Sequence, residues 1–178
     1  MLYNQIILEG IDGSGKSTLS KILTESIDLI PHHSNRTEGL CQERILIDSS
    51  KKNYVFDRSF IISESIYGPI LRGTSPYKID FMIDYLTSLN PLIVYLRPPT
   101  GLLEGRRKYV LFDKTKPETK PLEHRKIIWE NYHRILRNYD QLMKQLSTKV
   151  LMIQINPMNE YVVKMLLLNL KRRFLCVE

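Results

Sequence analysis

The chain has 178 residues, of which 43% are apolar and 25% charged. That is enough for one domain, 1–178, with a sizeable core, and it argues against disorder. No apolar run approaches the roughly 18 residues of a membrane span, and no basic stretch leads into an apolar core near the start, so neither a membrane partner nor a secretory signal is expected. The formal charge of +7 suits nucleic acid or a cleft for polyanionic small molecules; the basic residues are scattered, which favours the small-molecule reading.

Gln5-Ile6-Ile7-Leu8 reads as a short apolar strand, and Thr18-Leu19-Ser20-Lys21-Ile22-Leu23 as the start of an amphipathic helix. Between them runs Gly10-Ile11-Asp12-Gly13-Ser14-Gly15-Lys16-Ser17. The pattern G-x-x-x-x-G-K-[ST] between strand and helix is a phosphate-binding loop. Its glycines let backbone N–H groups turn inward around a phosphate, and the helix N-terminus adds positive charge there. Lys16 is expected to reach the β- and γ-phosphates of a nucleotide and Ser17 to ligate Mg²⁺, with Thr18 also at the ATP site.

Residues 28–33 read as a second, short strand, with Pro31 marking an edge or a strand end. Residues 37–50 read as helical. Tyr54-Val55-Phe56 is a third strand ending at Asp57-Arg58. Two helices follow, near 61–71 and 77–89, separated by Gly73-Thr74-Ser75-Pro76. Residues 91–96 form an almost wholly apolar fourth strand, as a buried parallel strand should be. A short helix near 101–108 leads into the charged, Pro-punctuated loop 114–121. Residues 123–146 read as one long helix, 150–155 as a fifth strand and 160–174 as a last helix. Alternating strands and helices predict an α/β fold with a five-stranded parallel sheet and ligands at the carboxyl ends of the strands.

Several polar residues fall at such ends. Asp57 can hold a Mg²⁺-bound water, and Arg58 can neutralise phosphoryl oxygens; the plainer alternative is a helix cap followed by a surface Arg. Asp12 can face a sugar hydroxyl or a basic side chain, or be a solvated turn residue. Arg36 can fork onto an acceptor phosphate, and Glu38 can act as a general base; otherwise they are loop charges. Phe60, Ser63, Glu64 and Tyr67 share a helix face, with Tyr67 and Phe60 able to stack on a base and Arg72 near its phosphate; an aromatic core stripe is the alternative. Arg106, Arg107 and Lys108 begin a lid-like segment, about 105–121, whose cations can stabilise a transferring phosphoryl group or merely end a helix favourably. Arg97 is a further cation of this kind. The four histidines and the cysteines Cys41 and Cys176 lack ligand spacing, so no transition-metal site is expected, and the cysteines suit free thiols in a reducing cytoplasm.

The run Leu8-Glu9-Gly10-Ile11-Asp12-Gly13-Ser14-Gly15-Lys16-Ser17-Thr18 resembles the thymidylate kinase family, whose loop is commonly written EGxDGSGKST. Asp57-Arg58 stands where that family has its Asp-Arg motif, and Arg36-Thr37-Glu38-Gly39 is similar to its Arg-Glu-Pro-Gly segment without the proline. Tyr95-Leu96-Arg97-Pro98-Pro99 and Asn138-Tyr139-Asp140 resemble small phage-type members. The resemblance spans nearly the whole chain. It implies a P-loop kinase of three α/β/α layers with a short lid, in the cytoplasm (the host's, if phage-encoded), sometimes as a homodimer. It implies transfer of the γ-phosphoryl group of ATP, with Mg²⁺, onto a deoxynucleoside monophosphate, dTMP above all. Asp12 would then meet the acceptor's sugar, Arg58 and Arg36 its phosphate, Arg72 its base or phosphate, and Tyr67 its sugar or base. Asp57-Arg58-Ser59 equally resembles the Glu-Arg-Ser of deoxynucleoside kinases, which must deprotonate a 5′-hydroxyl and for which Glu38 is the candidate base. A kinase acting on a modified base in DNA is a further alternative.

Overall fold

The computed structural model describes residues 5–33, 53–112 and 122–175. Within them lie five strands and seven helices: β1 (Gln5–Glu9), α1 (Lys16–Ser26), β2 (Ile30–His32), β3 (Tyr54–Asp57), α2 (Phe60–Leu71), α3 (Ile79–Leu89), β4 (Leu92–Leu96), α4 (Thr100–Phe112), α5 (Leu122–Glu130), α6 (Tyr132–Leu146), β5 (Met152–Ile155) and α7 (Glu160–Leu175). The helix expected over 37–50, Arg36, Glu38, Cys41, Cys176 and the loop 114–121 lie outside the described residues.

The strands form one all-parallel sheet in the order β2-β3-β1-β4-β5. Period-two alternation explains why both faces are covered. Ile7, Tyr54, Phe56, Ile93 and Tyr95 point into a core closed by α2, α3, α5 and α6. Their neighbours Ile6, Leu8, Val55, Leu92, Val94 and Leu96 point the other way, onto Leu19 and Leu23 of α1 and Leu166 and Leu170 of α7. Strands buried on both sides have no polar face, so they read as continuous apolar runs. The short β2, carrying Pro31, is an edge strand as its proline requires. After β3 the chain crosses to the far side of β1, so the strand order reverses beside β1, where ligands of such sheets bind. No helix among the described residues is long and apolar enough to cross a membrane.

Two expectations need correction. The stretch 123–146 is two helices, broken at Asn131. The Asn131 amide Nδ2 donates to the Ile127 carbonyl at 2.9 Å, and Arg107 Nη2 donates to the Trp129 carbonyl at 2.6 Å. The Ile127 carbonyl also keeps the Asn131 backbone N–H at 3.0 Å, as in a continuous helix, whereas the Trp129 carbonyl, which a continuous helix would offer to a backbone N–H, is taken by the Arg107 side chain. The helix expected over 101–108 extends to Phe112. Arg106 and Arg107 therefore sit on a helix, and the first part of the lid-like stretch is helical.

Candidate active site

The loop after β1 wraps around the Lys16 ammonium. Lys16 Nζ donates to the carbonyls of Gly10 at 2.8 Å and Ile11 at 3.0 Å, and lies 3.4 Å from Ser14 Oγ. Gly10 has φ +149°, and a Cβ there would stand 2.6 Å from the Leu96 carbonyl oxygen and 2.8 Å from Ser14 Oγ. Gly13 and Gly15 also have positive φ, and Gly15 caps α1. These conformations suit glycine because it has no Cβ. Burial, then the nearby Arg58, push the Lys16 ammonium down to about 7, against the pull of Asp12, Asp57 and Glu9.

β3 runs beside β1, with Leu8 opposite Asp57. That register sets Asp57 against the start of α1. Ser17 Oγ donates to Asp57 Oδ2 at 2.7 Å. Asp57 Oδ1 is buried and has no hydrogen-bond partner among the described residues. Burial opposes ionisation of Asp57, but His33, Lys16, Ser17 and Arg58 outweigh it and hold the carboxyl at about 2. The His33 imidazole lies 3.8 Å away. An ionised carboxylate with an unengaged oxygen, beside a hydroxyl and a phosphate loop, fits a hard oxygen-seeking cation such as Mg²⁺. Ser17 and Asp57 are the residues that would hold it.

Arg58 turns away from Asp57. Its backbone is left-handed, φ +83°, and its N–H donates to the Leu8 carbonyl at 3.1 Å. The guanidinium pairs with Asp12 Oδ1 and lies 5.2 Å from the centre of the Tyr67 ring. Tyr67 Oη approaches Asp12 Oδ2 at 3.4 Å, and Tyr132 Oη donates to the Asp12 carbonyl at 3.2 Å. Although burial opposes its charge, Asp12 keeps Arg58 firmly protonated. Burial likewise raises the Tyr67 phenol above its usual range. The Asp12 carboxylate thus faces a basic side chain, one of the three options its position in the loop allowed.

The other expected residues divide. Arg72, the C-cap of α2, pairs with Glu64 of that helix, donating to Oε1 at 2.6 Å and also engaging Oε2. Phe60 packs edge-on against Tyr77 at 6.1 Å. Arg106 Nη1 reaches the Gly13 carbonyl at 3.4 Å, and Nη2 approaches Met158 Sδ at 3.2 Å. Arg107 turns elsewhere: it donates to the Trp129 carbonyl and stacks 4.2 Å from the Trp129 ring centre. Arg97 braces β4 to α6 through Asp140, at 2.9 and 3.1 Å, with Tyr95 Oη donating to the same carboxylate at 2.6 Å. Thr18 is exposed on α1.

Sequence reasoning passed over Glu9, Tyr132, Tyr139 and Met158 as site residues. Glu9 is the last residue of β1, wholly buried. Its Oε1 accepts the Ser59 N–H at 2.7 Å, and its Oε2 accepts the Tyr139 hydroxyl at 3.3 Å. Burial pushes its carboxyl up to about 7, although Ser59, Arg58, Lys16 and Tyr139 all favour the anion. A charged residue closing a strand of apolar side chains was the available signal. The tyrosines gave none, because their apolar periodicity reads as core.

The geometry defines a class, the three-layer α/β fold with a phosphate loop at the end of its central strand. Solved structures share it. A YorR protein from Bacillus subtilis in complex with phosphorylated GDP superposes with a TM-score of 0.64 at 19% identity, covering 94% of this chain and 96% of that one. A deoxyadenosine kinase from M. mycoides with bound dCTP gives 0.56 at 16%, over 94% and 98%. A shikimate kinase from Acinetobacter baumannii in complex with shikimate gives 0.52 at 17%, over 98% and 95%. No protein-family model and no curated protein matches the chain.

Proposed function

We propose that this chain is an ATP-dependent kinase that transfers the γ-phosphoryl group to a deoxynucleoside monophosphate, with dTMP the leading acceptor. The observation that carries the reading is the junction of β1 and β3. Lys16 and the Ser17–Asp57 pair meet there with the linked group of Arg58, Asp12 and Tyr67. Donor-side and acceptor-side groups so close together suit in-line transfer by positioning and charge neutralisation.

In this reading the amides of residues 10–17 hold the β-phosphate, and Lys16 spans the β- and γ-phosphates. Bound Mg²⁺ would neutralise charge on the phosphate oxygens. Arg58 faces the anionic oxygen of the acceptor, which forms the new bond to phosphorus as the bond to the ADP oxygen breaks. That oxygen is already ionised, so no strong base is required. Asp12 takes a sugar hydroxyl when the acceptor phosphate engages Arg58. Arg106, beside Gly13, is the better placed of the two lid cations to meet the transferring group.

A nucleoside acceptor is the second reading. Arg58 and Arg72 are each already paired, with Asp12 and Glu64, which balances charge on that wall and suits an uncharged acceptor. The deoxyadenosine kinase that shares the fold is of this kind. Such an acceptor needs a base for its 5′-hydroxyl, for which Glu38 is the candidate. ADP release from ATP, measured against deoxynucleosides, their monophosphates and DNA, separates the readings. Turnover with a monophosphate alone supports the first, turnover with a nucleoside alone replaces it by the second, and no ADP release with any acceptor ends both.

A further inference from the structure

We propose that Glu9 is a positioning residue for Arg58: its buried carboxyl locks the Arg58–Ser59 peptide and the tyrosine beneath Arg58, so that a strained backbone aims the guanidinium at the acceptor. This rests on the phosphotransfer reading above and adds to it a residue that reacts with nothing.

Arg58 needs an external hold. A left-handed φ of +83° is disfavoured for any residue with a Cβ and persists where the surroundings over-determine it. Two hydrogen bonds do so here, on successive N–H groups. The Arg58 N–H goes to the Leu8 carbonyl at 3.1 Å, and the Ser59 N–H goes to Glu9 Oε1 at 2.7 Å. The first is a sheet bond that any β1 residue would supply. The second depends on a side chain. Ser59 is also the N-cap of α2, so the Glu9 bond to its N–H sits at the turn from strand to helix.

The second oxygen works from beneath. Glu9 Oε2 accepts from Tyr139, whose ring packs edge-on against Tyr67 at 6.1 Å, and Tyr67 is the ring under the Arg58 guanidinium. One carboxyl therefore fixes both the backbone of Arg58 and the surface on which its head rests. Arg58 in turn reaches Asp12 in the phosphate loop. The donor loop and the acceptor arginine are joined through a residue 0% exposed.

The test uses the full chain with Glu9→Gln and Glu9→Met, each alone and combined with Arg58→Ala. Glu9→Met is expected to lower kcat/KM for the acceptor by about 10- to 100-fold, as loss of outer-shell partners does elsewhere, while ADP affinity, read by calorimetry, holds. Glu9→Gln keeps an oxygen for the Ser59 N–H and is expected to recover most of that loss. In the Arg58→Ala background Glu9→Met should cost nothing more, because the two act as a unit. A crystal structure of Glu9→Met should show the φ of residue 58 relaxed to negative values. If Glu9→Met does not fold, Glu9→Asp, one methylene shorter, must show the same acceptor-specific loss. Additive losses, an equal loss of ADP affinity, or an unchanged left-handed Arg58 overturns the proposal. If the wild type turns over no acceptor, the phosphotransfer reading fails by itself, and the backbone of Arg58 in the variant still decides the role of Glu9.

Discussion

Replacing Glu9 by glutamine should change how stability depends on pH, and the size follows from the site. The folded carboxyl titrates at about 7, because burial outweighs its hydrogen bonds, against an ordinary value of 4.5. Between these values the folded chain holds a proton that the unfolded chain has released. Stability contributed by the neutral acid is therefore fully present below pH 4.5 and is lost as pH rises through about 7. At about 1.36 kcal/mol per pH unit, the interval amounts to about 3 kcal/mol. Glutamine does not ionise, so the stability difference between variant and wild type should move by about 3 kcal/mol in the variant's favour between pH 4.5 and 8. In a chain of this length that is a relative shift of about 6–12 °C in Tm. Lys16, pushed down to about 7 mainly by burial, gives the opposite slope above pH 7; because Glu9 is one of the charges holding it up, its response differs between the two proteins, and the sign is read below pH 7. Urea denaturation of both proteins at intervals from pH 5 to 8 measures this. Parallel curves would refute the assignment of a neutral buried acid at Glu9.

Lys16→Ala should lower turnover by at least about 100-fold, the scale for removing a preorganised charge from a transition state; ADP release near the wild-type rate would remove the phosphate-loop assignment. Asp57→Asn should raise the Mg²⁺ concentration for half-maximal activity, and an unchanged Mg²⁺ titration would leave Asp57 only its structural hydrogen bond from Ser17. Gly10→Ala puts a methyl group 2.6 Å from the Leu96 carbonyl oxygen, so it should cost about 1–3 kcal/mol of stability as overpacking does and weaken nucleotide binding; a melting curve and nucleotide affinity matching the wild type would show that the loop sits elsewhere. Arg107→Met should change the emission of Trp129, the chain's single tryptophan, because the guanidinium leaves its ring and its carbonyl. Its loss should also destabilise the chain by about 1 kcal/mol, since a charged donor to a half-buried carbonyl disappears; an unaltered spectrum would mean the two are apart in solution.

What could be read before folding was local. A phosphate loop is a short run whose glycines, lysine and serine act within one turn of backbone, so eight consecutive letters describe it. The sheet was legible because strands buried on both faces must be apolar throughout, and Pro31 marked the edge because it lacks a ladder N–H. The helix break at Asn131 was hidden, since part of its cause, Arg107, lies 22 residues from Trp129. Charged side chains were readable as charges but not as pairs. Arg72 is taken by Glu64, Arg107 by a helix end, and Arg97 by Asp140, which leaves Arg58 and Arg106 at the phosphate loop.

Local steric and hydrogen-bonding patterns, and the period of burial, are written in neighbouring residues, so the chain alone determined its class of fold and the place proposed for phosphate. Which carboxylate answers which arginine depends on side chains brought together from far apart, 46 residues for Arg58 and Asp12 and 130 for Tyr139 and Glu9. Only the packed sheet, by setting the ends of β1 and β3 side by side under α6, decided that.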